Sequence, residues 1–339
     1  MSSIFDAVMN SYNIVRLSLL LAALSRLGNP DAAGKDSLLV MFWNVENFFD
    51  WRRDTVLGNP SEAEFTSYGK KHWTRRKFLA KCGAIAKTVY WIADTEGRLP
   101  DLIGLAEVEN RYVLEELLRR TRLDREDYSI VHYDSPDPRG IDVALLFRKS
   151  SVKLLRSRPM RIHGRDGPGI RTRDILLAEF LLADGDSIAI LVNHHPSKYG
   201  GGSAWRRKAA MERLQGATDS LLSCGFMNII AMGDFNDTPE STEEYSRTMV
   251  NLALPQARKG LGTIKYSGRW ELIDMFFVSP GIFRSMSLSK DHEGMKIHRV
   301  PFLTIRDNTH SGEKPLRTYV GPRYSGGVSD HCPITLVIP

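Results

Sequence analysis

The chain has few cysteines and lacks the motifs of several common site types. Its 339 residues include only Cys82, Cys224 and Cys332. Three cysteines cannot all pair and none stands in a C-x-x-C spacing, so neither a disulfide framework nor a zinc site is indicated. Neither G-x-G-x-x-G nor G-x-x-x-x-G-K-[ST] follows an apolar run, which excludes the common nucleotide-cofactor folds. No internal repeat is present, which excludes a repeat protein.

The composition is that of an ordinary globular protein with a basic surplus. Apolar residues make up 42% of the chain and charged residues 25%, which suits one large domain or two small ones. The 46 lysines and arginines exceed the 40 aspartates and glutamates, giving a net charge of +6. This surplus favours an anionic partner, without reaching the charge density of a protein that coats nucleic acid.

The N-terminus carries a short apolar segment, Leu17–Leu24, behind Arg16. This segment is too short to cross a bilayer and resembles the apolar region of a signal peptide. An amphipathic helix is the alternative, because Asp6 weakens the basic start that a signal peptide needs. We predict that residues 1–35 form an extension, with a signal peptide and a secreted or periplasmic location favoured over a cytoplasmic one. The folded domain is then predicted to span residues 36–339.

Short apolar runs and period-two alternation predict strands, and helical spacing predicts helices between them. The predicted strands are Leu38–Trp43, Asp101–Ala106, Tyr128–Tyr133, Ile141–Phe147, Val152–Ile162, Ile175–Leu182, Ser187–Val192, Met227–Met232, Glu271–Val278 and Ile334–Ile338. The predicted helices start after Thr74 and span Arg111–Leu123 and Ser203–Leu222. An Asp-Gly turn at Asp184 predicts a hairpin. The mixture indicates an α/β sandwich with much antiparallel pairing.

Polar side chains recur where these strands end. Asn44 and Glu107 each follow an apolar run, as do Asp234 and Asn236, and His331 precedes the last strand. Any one of them is most simply a turn residue. Together they supply oxygen ligands for a hard divalent cation and groups that could orient water and stabilise a phosphoryl group.

The order of these residues resembles the endonuclease/exonuclease/phosphatase superfamily. The matching motifs are Trp43-Asn44, Glu107, Asn193-His194, Gly233-Asp234-Phe235-Asn236, Asp274 and Ser329-Asp330-His331. Further stretches, such as Arg139-Gly140-Ile141-Asp142, are similar to a bacterial endonuclease-like branch. The resemblance implies a four-layer α/β sandwich like that of deoxyribonuclease I, with two mixed sheets packed face to face and helices outside.

The resemblance also implies the catalytic residues. Asp234 would orient or deprotonate the attacking water, and Asn236 would hold that water or the phosphate. His331, oriented by Asp274, would stabilise the phosphorane. His194 would face the phosphate and assist the leaving group, although a histidine held in the core is the alternative at that position.

A metal site is implied beside them. Glu107 would bind the cation directly, Asn44 would contact phosphate or metal, and Asp330 and Glu46 would complete the metal region. The expected cation is Mg²⁺, with Mn²⁺ or Ca²⁺ as alternatives. His195 departs from the family pattern and is interpreted as a packing residue.

The rim of the site favours a nucleic acid substrate. Basic residues cluster in Lys70–Lys77, and Arg139, Lys198 and Arg317 are candidate phosphate-binding residues. We therefore predict a monomeric, weakly sequence-specific endonuclease acting on DNA or RNA, without stable membrane insertion. The alternatives are a phosphomonoesterase or a lipid phosphodiesterase of the inositol phosphate or sphingomyelin type, and a catalytically inactive binding protein on the same scaffold.

Overall fold

A computed structural model describes residues 37–52, 64–164, 169–198, 203–243, 248–288 and 294–339. The predicted N-terminal extension lies outside these residues, so the signal peptide and the location that follows from it stay predictions. No helix in the described part of the chain is long and apolar enough to span a membrane.

The described residues form eighteen strands and six α-helices. The strands are β1 (Leu38–Phe48), β2 (Leu102–Val108), β3 (Tyr128–His132), β4 (Asp142–Arg148), β5 (Lys153–Met160), β6 (Ile175–Leu181), β7 (Ser187–His194), β8 (Asn228–Asp234), β9 (Val250–Asn251), β10 (Ile264–Tyr266), β11 (Arg269–Glu271), β12 (Asp274–Val278), β13 (Lys296–Ile297), β14 (Thr304–Arg306), β15 (Glu313–Pro315), β16 (Tyr319–Val320), β17 (Arg323–Tyr324) and β18 (Ile334–Ile338). The helices are α1 (Arg75–Glu96), α2 (Arg111–Arg119), α3 (Ser203–Ser223), α4 (Pro239–Glu243), α5 (Leu254–Arg258) and α6 (Pro280–Leu288).

Twelve strands form two mixed sheets of six. One sheet has the order β13-β18-β1-β2-β4-β3, and the other has the order β5-β6-β7-β8-β12-β9. Each contains one parallel pair at its centre, β1 with β2 and β7 with β8, and antiparallel partners on both sides. The remaining six strands pair in three hairpins, β10–β11, β14–β15 and β16–β17.

The side chains of β1 explain the layered packing. Val40 and Phe42 join a core that also contains strand residues of the second sheet. Met41 and Trp43 point to the opposite face and pack with helices α1 and α2. Because both faces of the strand are covered, its sequence is almost continuously apolar. The predicted sandwich of two face-to-face sheets with helices outside is confirmed.

Helix α1 begins where the sequence predicts. The Thr74 side chain accepts a hydrogen bond from the Lys77 amide, and Gly97 ends the helix in a left-handed conformation with φ of 74°. The buried side of the helix carries Phe78 and Cys82, but also Lys81. A lysine on an apolar helical stripe is unusual and requires polar partners in the interior.

Several predicted boundaries were wrong. Strands β1 and β2 continue past the polar residues that were expected to follow them, since β-bulges at Asn44/Phe48 and Ala106/Val108 keep the chain paired. The helix predicted to reach Leu123 ends at Arg119, where a 3₁₀ turn begins soon after. The predicted strand from Glu271 to Val278 is divided between β11 and β12.

Candidate active site

The topology brings the polar strand ends to one edge of the sandwich. Parallel strands end on the same side, so the last residues of β1 and β2 meet, and those of β7 and β8 meet likewise. Strands β18 and β12 run antiparallel to β1 and β8, so they begin at that edge. Asp274 consequently lies directly opposite Asp234 in the register.

Four residues at this edge adopt the left-handed region that non-glycine residues avoid. They are Glu46, Asn47, Glu107 and Asn236, with φ of 48°, 52°, 61° and 49°. The first three lie at the two bulges of β1 and β2. Strained backbone of this kind persists only where its surroundings hold it, and it clusters at functional sites.

His331 is held from both ends. Its Nδ1 lies 2.8 Å from Asp274 Oδ2, and its backbone amide donates to Ser329 Oγ at 2.9 Å. Trp43 Nε1 in turn donates to the His331 carbonyl at 2.9 Å. The remaining ring atom, Nε2, lies 3.8 Å from Asp234 Oδ2, so the ring is fixed with Nε2 towards the site.

Charge keeps His331 protonated. Burial lowers the pKa of His331, but the neighbouring carboxylates of Asp274, Asp234 and Asp330 outweigh burial and hold it well above its usual range. The imidazole is therefore a fixed positive charge at neutral pH.

Asp234 occupies the centre of the site. Its Oδ2 accepts a hydrogen bond from Asn44 Nδ2 at 3.1 Å, and its Oδ1 accepts one from the Asn236 amide at 2.9 Å. Burial raises the pKa of Asp234 to about 7, with a further contribution from Asp274, against the lowering effect of His331. A carboxylate that titrates near neutral pH suits a group that accepts a proton from water.

His194 lies on the other side of Asp234. Its Nε2 is 3.6 Å from Asp234 Oδ2, and its Nδ1 is buried with no hydrogen-bond partner among the described residues. Burial and the positive charges of Arg173, Arg139 and His331 lower the pKa of His194 well below its usual range. The two histidines of the site therefore differ: His331 is charged and His194 is neutral.

His195 is a packing residue, as predicted in the sequence. Its ring lies edge-on to Phe235 with centroids 4.8 Å apart, and neither ring nitrogen has a hydrogen-bond partner in the described structure. Its carbonyl accepts hydrogen bonds from Asn236 Nδ2 at 3.0 Å and from the Arg173 guanidinium.

Glu46 is buried between two cations. Arg317 Nε donates to its Oε1 at 2.7 Å, the Thr318 amide donates to its Oε2 at 3.0 Å, and Lys81 Nζ donates to its backbone carbonyl. Burial and the charge of Asp330 raise the pKa of Glu46 to about 7, despite the opposing effects of Arg317 and Lys81.

The oxygen atoms near Glu107 and Asp330 fit a hard divalent cation. Glu107 Oε2 accepts from the Asn47 amide at 2.8 Å, which leaves Oε1 available, and Asp330 Oδ2 pairs with Arg317 Nη2 at 3.0 Å, while its Oδ1 lies 3.8 Å from His331 Nε2. Carboxylate oxygens with room for water are the ligands that Mg²⁺ prefers. Glu46 is less suited to bind the cation directly, because both of its carboxylate oxygens already accept hydrogen bonds.

Among the described residues, two groups of Asp and His side chains bring three ligand atoms within 4.8 Å of one another, and neither includes Glu107 or Asp330. One is Asp234, Asp274 and His331, and the other is His132, Asp134 and Asp142. In the first group His331 Nδ1 is engaged by Asp274, which favours a role in proton handling for that pair. The predicted set around Glu107 stays a prediction.

The candidate phosphate-binding residues lie at the rim. Arg317 bridges Glu46 and Asp330, so it is part of the site. Arg139 pairs with Asp137 at 3.5 Å, and Lys198 lies 3.7 Å from Glu271 and 3.9 Å from Asp237. Arg139 and Lys198 are therefore exposed cations with acidic neighbours.

Two buried cations were missed in the sequence. Lys81 joins α1 to the Glu46 carbonyl and, at 2.8 Å, to Thr318 Oγ1. Arg173 pairs with Asp137 at 2.9 Å and donates to the His194 and His195 carbonyls. Lys81 could have been identified from the sequence, because it lies on the apolar stripe of α1. No comparable pattern marked Arg173, whose partners are distant in the chain.

A family model described as the endonuclease/exonuclease/phosphatase family matches residues 39–339. The chain belongs to the endonuclease/exonuclease/phosphatase family. Its members hydrolyse phosphoester bonds and typically use a divalent metal, so the chain is a family hydrolase with candidate metal-binding groups. A search of curated proteins finds no match.

Several solved structures share the fold. The human Nocturnin catalytic domain with bound sulfate superposes with a TM-score of 0.55 at 17% identity, covering 89% of this chain and 94% of that one. D. rerio TDP2 complexed with a single-strand DNA product superposes with a TM-score of 0.51 at 16% identity, covering 89% of this chain and 99% of that one. An endonuclease/exonuclease/phosphatase family protein from Bacteroides thetaiotaomicron superposes with a TM-score of 0.53 at 15% identity, covering 89% of this chain and 97% of that one. At these identities the similarity concerns the fold alone.

Proposed function

We propose that this family hydrolase cleaves phosphodiester bonds in DNA or RNA, cutting internally with little sequence preference. The observation that carries the proposal is the pairing of a charged His331, bound to Asp274, with Asp234 at the edge where both sheets end. A proton acceptor and a fixed positive charge 3.8 Å apart can act on the nucleophile and the phosphoryl group of one reaction centre.

Asp234 receives the proton of the attacking water in this proposal. Asn44 and the Asn236 amide fix the two carboxylate oxygens, so the base has one orientation. His331 stabilises the charge that develops on the phosphoryl oxygens, and Asp274 holds its ring and its proton. His194, neutral and buried, donates to the phosphate or assists the leaving oxygen.

Glu107 and Asp330 would hold the divalent cation, with Asn44 and Glu46 beside them. When bound, Mg²⁺ supplies Lewis-acid stabilisation of the phosphoryl and leaving oxygens. Arg317 lies between Glu46 and Asp330, where it limits the negative charge of the site before metal binds.

Several observations support a nucleic acid substrate over the alternatives. The net charge is +6, and Arg139, Lys198 and Arg317 lie at the rim. One structural neighbour, D. rerio TDP2, was crystallised with a single-strand DNA product. The intact set of Asp234, Asp274 and His331 argues against an inactive binding protein.

The test compares wild-type and His331→Ala protein on supercoiled plasmid, RNA, inositol phosphates and sphingomyelin, with Mg²⁺, Mn²⁺ or Ca²⁺ and with chelator. We expect metal-dependent cleavage of nucleic acid that the substitution abolishes. Turnover of a phosphomonoester or lipid alone would overturn the nuclease assignment, and no turnover by folded protein would favour the binding protein.

We further propose that residues 1–35 form an export signal, that residues 36–339 form the catalytic domain, and that the protein is a monomer. The match of the family model from residue 39 onwards supports this boundary. Mass spectrometry of the mature N-terminus tests the export signal, and light scattering tests the monomer. An intact N-terminus in the exported or cytoplasmic protein, or a stable dimer, would contradict them.

A further inference from the structure

A large cleft adjoins the site on the side of Asn236, Arg317 and Asp330. Its volume is about 950 Å³, at the upper end of the range for ligand pockets in proteins. Its walls include residues of the three hairpins β10–β11, β14–β15 and β16–β17. None of the catalytic roles assigned above uses these hairpins.

The hairpins are fixed to the catalytic centre and to each other. Ile264 of β10 forms an antiparallel bridge with His331, and the Cys332 amide donates to the Thr263 carbonyl at 2.7 Å. Lys265 joins β10 to the next hairpin through Asp307 at 3.1 Å. The position of Tyr266, two residues beyond Ile264, is therefore set by the backbone that holds His331.

Three large apolar side chains are exposed on the walls of this cleft. Tyr266 is 54% exposed, Ile305 is 45% exposed and Val320 is 60% exposed. Each comes from a different hairpin. Exposed apolar residues are ordinary when scattered, but a concentration of them in one concave surface beside a reaction centre marks a binding site.

Positive charge dominates the same walls. Six cations line the cleft, namely Lys198, Lys265, Arg306, Lys314, Arg317 and Arg323, against two carboxylates, Glu271 and Asp330. Four of these cations already have acidic partners. Lys265 and Lys314 pair with Asp307, Lys198 lies near Glu271, and Arg317 pairs with Asp330. Arg306 and Arg323 are exposed and form no ion pair with any described residue, so their charges are available to an anionic ligand.

We propose that this cleft binds unpaired nucleotides adjoining the scissile phosphate, so that the enzyme acts on single-stranded DNA or RNA. This inference rests on the proposed phosphodiesterase function. Tyr266 stacks on an exposed base, while Arg306 and Arg323 contact phosphates. A duplex offers no such contact, because its bases are already stacked inside the helix.

The distribution of side chains favours a nucleic acid over a lipid. Tyr266, Ile305 and Val320 share the cleft with the guanidinium groups of Arg306, Arg317 and Arg323. A ligand that carries both flat apolar groups and phosphates matches this mixed lining. An acyl chain would leave the arginines without a partner.

The test measures binding of fluorescein-labelled hexathymidylate and of a stable, covalently closed hairpin duplex by anisotropy, using wild-type protein in EDTA. We expect the single strand to bind at least about tenfold more tightly, which is the range for stacking of a base on an aromatic side chain. Tyr266→Ala should remove most of that difference, and Tyr266→Phe should retain it.

Matched controls lie at the opposite edge of the sheets. Met227 is 64% exposed and comes just before the first residue of β8, whose other end carries Asp234. Arg125 comes shortly before the first residue of β3. Met227→Ala should leave binding unchanged. Arg306→Ala and Arg323→Ala should each reduce the slope of log affinity for the single strand against log salt concentration by about one released ion. Arg125→Ala should leave that slope unchanged.

Equal affinity for duplex, or full binding by Tyr266→Ala, would overturn this inference. Hydrolysis of bis(4-nitrophenyl) phosphate, measured in parallel, separates its failure from that of the proposed function. Metal-dependent hydrolysis without single-strand preference would leave the phosphodiesterase in place and reject the cleft assignment. Selective turnover of sphingomyelin would reject both nucleic acid proposals.

Discussion

At the scale of single residues, His331 is a cation because three aspartates surround it, and Asp274 contacts it directly at 2.8 Å. The pair Asp274–His331 could be predicted from the sequence through the resemblance of its motifs. The engagement of Glu46 by Arg317 could not, since it depends on how a loop 271 residues further along the chain folds over β1.

Asp274→Asn should lower kcat by about 10²–10⁴-fold, because the amide cannot stabilise the imidazolium. The substitution should also move the alkaline limb of the kcat profile to lower pH, since loss of the carboxylate lowers the pKa of His331. Rates between pH 6 and pH 10 test this expectation. Asp219→Asn, on the exposed side of α3, serves as the control and should resemble wild type. An unshifted alkaline limb would contradict the role of Asp274.

Glu46 should make stability depend on pH. Burial raises its pKa from 4.5 to about 7, so the folded protein retains a proton that the unfolded chain has lost between those values. The contribution of Glu46 to stability is therefore greatest below pH 4.5 and falls as pH rises to about 7, by roughly 3 kcal/mol.

Glu46→Gln should flatten that part of the curve, measured by urea denaturation in EDTA at several pH values. Glu115→Gln removes an exposed carboxylate paired with Arg111 and should leave the curve parallel to wild type. If Glu46→Gln also runs parallel to wild type, the buried carboxyl does not have a raised pKa.

At the scale of elements, the geometry depends on the close approach of β7 and β8. A Cβ atom built on Gly233 would lie 2.3 Å from the backbone oxygen of Asn193, where no atom fits. Glycine is thus required one residue before Asp234 and opposite the residue before His194. The order of strands and helices could be predicted from periodicity, but this contact could not, because it arises only when the parallel pair forms.

Gly233→Ala should destabilise the protein by about 1–3 kcal/mol and also reduce kcat, since the strands must separate at the site. Gly216→Ala is the matched control, because Gly216 lies in α3 with open space around it and alanine favours a helix by up to about 1 kcal/mol. Thermal unfolding and kcat are measured for both. If Gly233→Ala is as stable as wild type, β7 and β8 lie further apart at Asn193 and Gly233 than described above.

The boundaries of elements were less predictable than their existence. The polar residues Asn44 and Glu107 were expected to end their strands, yet bulges keep β1 and β2 paired beyond them. A β-bulge inserts an extra residue and breaks the period-two alternation of polar and apolar side chains, so the sequence pattern does not show that these polar residues lie within a strand. Asn44 and Glu107 therefore lie inside β1 and β2, which holds them more rigidly than loops would.

At the scale of the whole molecule, two six-stranded sheets contribute to one reaction centre. Asn44, Glu107 and His331 come from the first sheet or its edge, while His194 and Asp234 come from the second. The α/β sandwich could be predicted from the pattern of strands and helices, and its four-layer arrangement from the resemblance. The sequence could not reveal the cleft beside Tyr266, because its walls come from three short hairpins without a clear periodic pattern.

Removal of residues 1–36 should leave folding and kcat unchanged, because the family model begins at residue 39 and β1 begins at Leu38. Removal of residues 1–43 deletes most of β1, a central strand buried on both faces, and should prevent folding. Circular dichroism and kcat compare the two truncations. Loss of structure in the shorter deletion would move the domain boundary towards the N-terminus.

We propose that Asp234 and His331 form a metal-assisted phosphodiesterase site. The most direct measurement is the rate of bis(4-nitrophenyl) phosphate hydrolysis by wild type, Asp234→Asn and His331→Ala, in Mg²⁺ or Mn²⁺ and in EDTA. We predict hydrolysis by the metal-loaded wild type, loss of at least about 10²-fold in each variant, and none in EDTA. Equal rates in folded wild-type and variant proteins, or hydrolysis that persists in EDTA, would contradict the account.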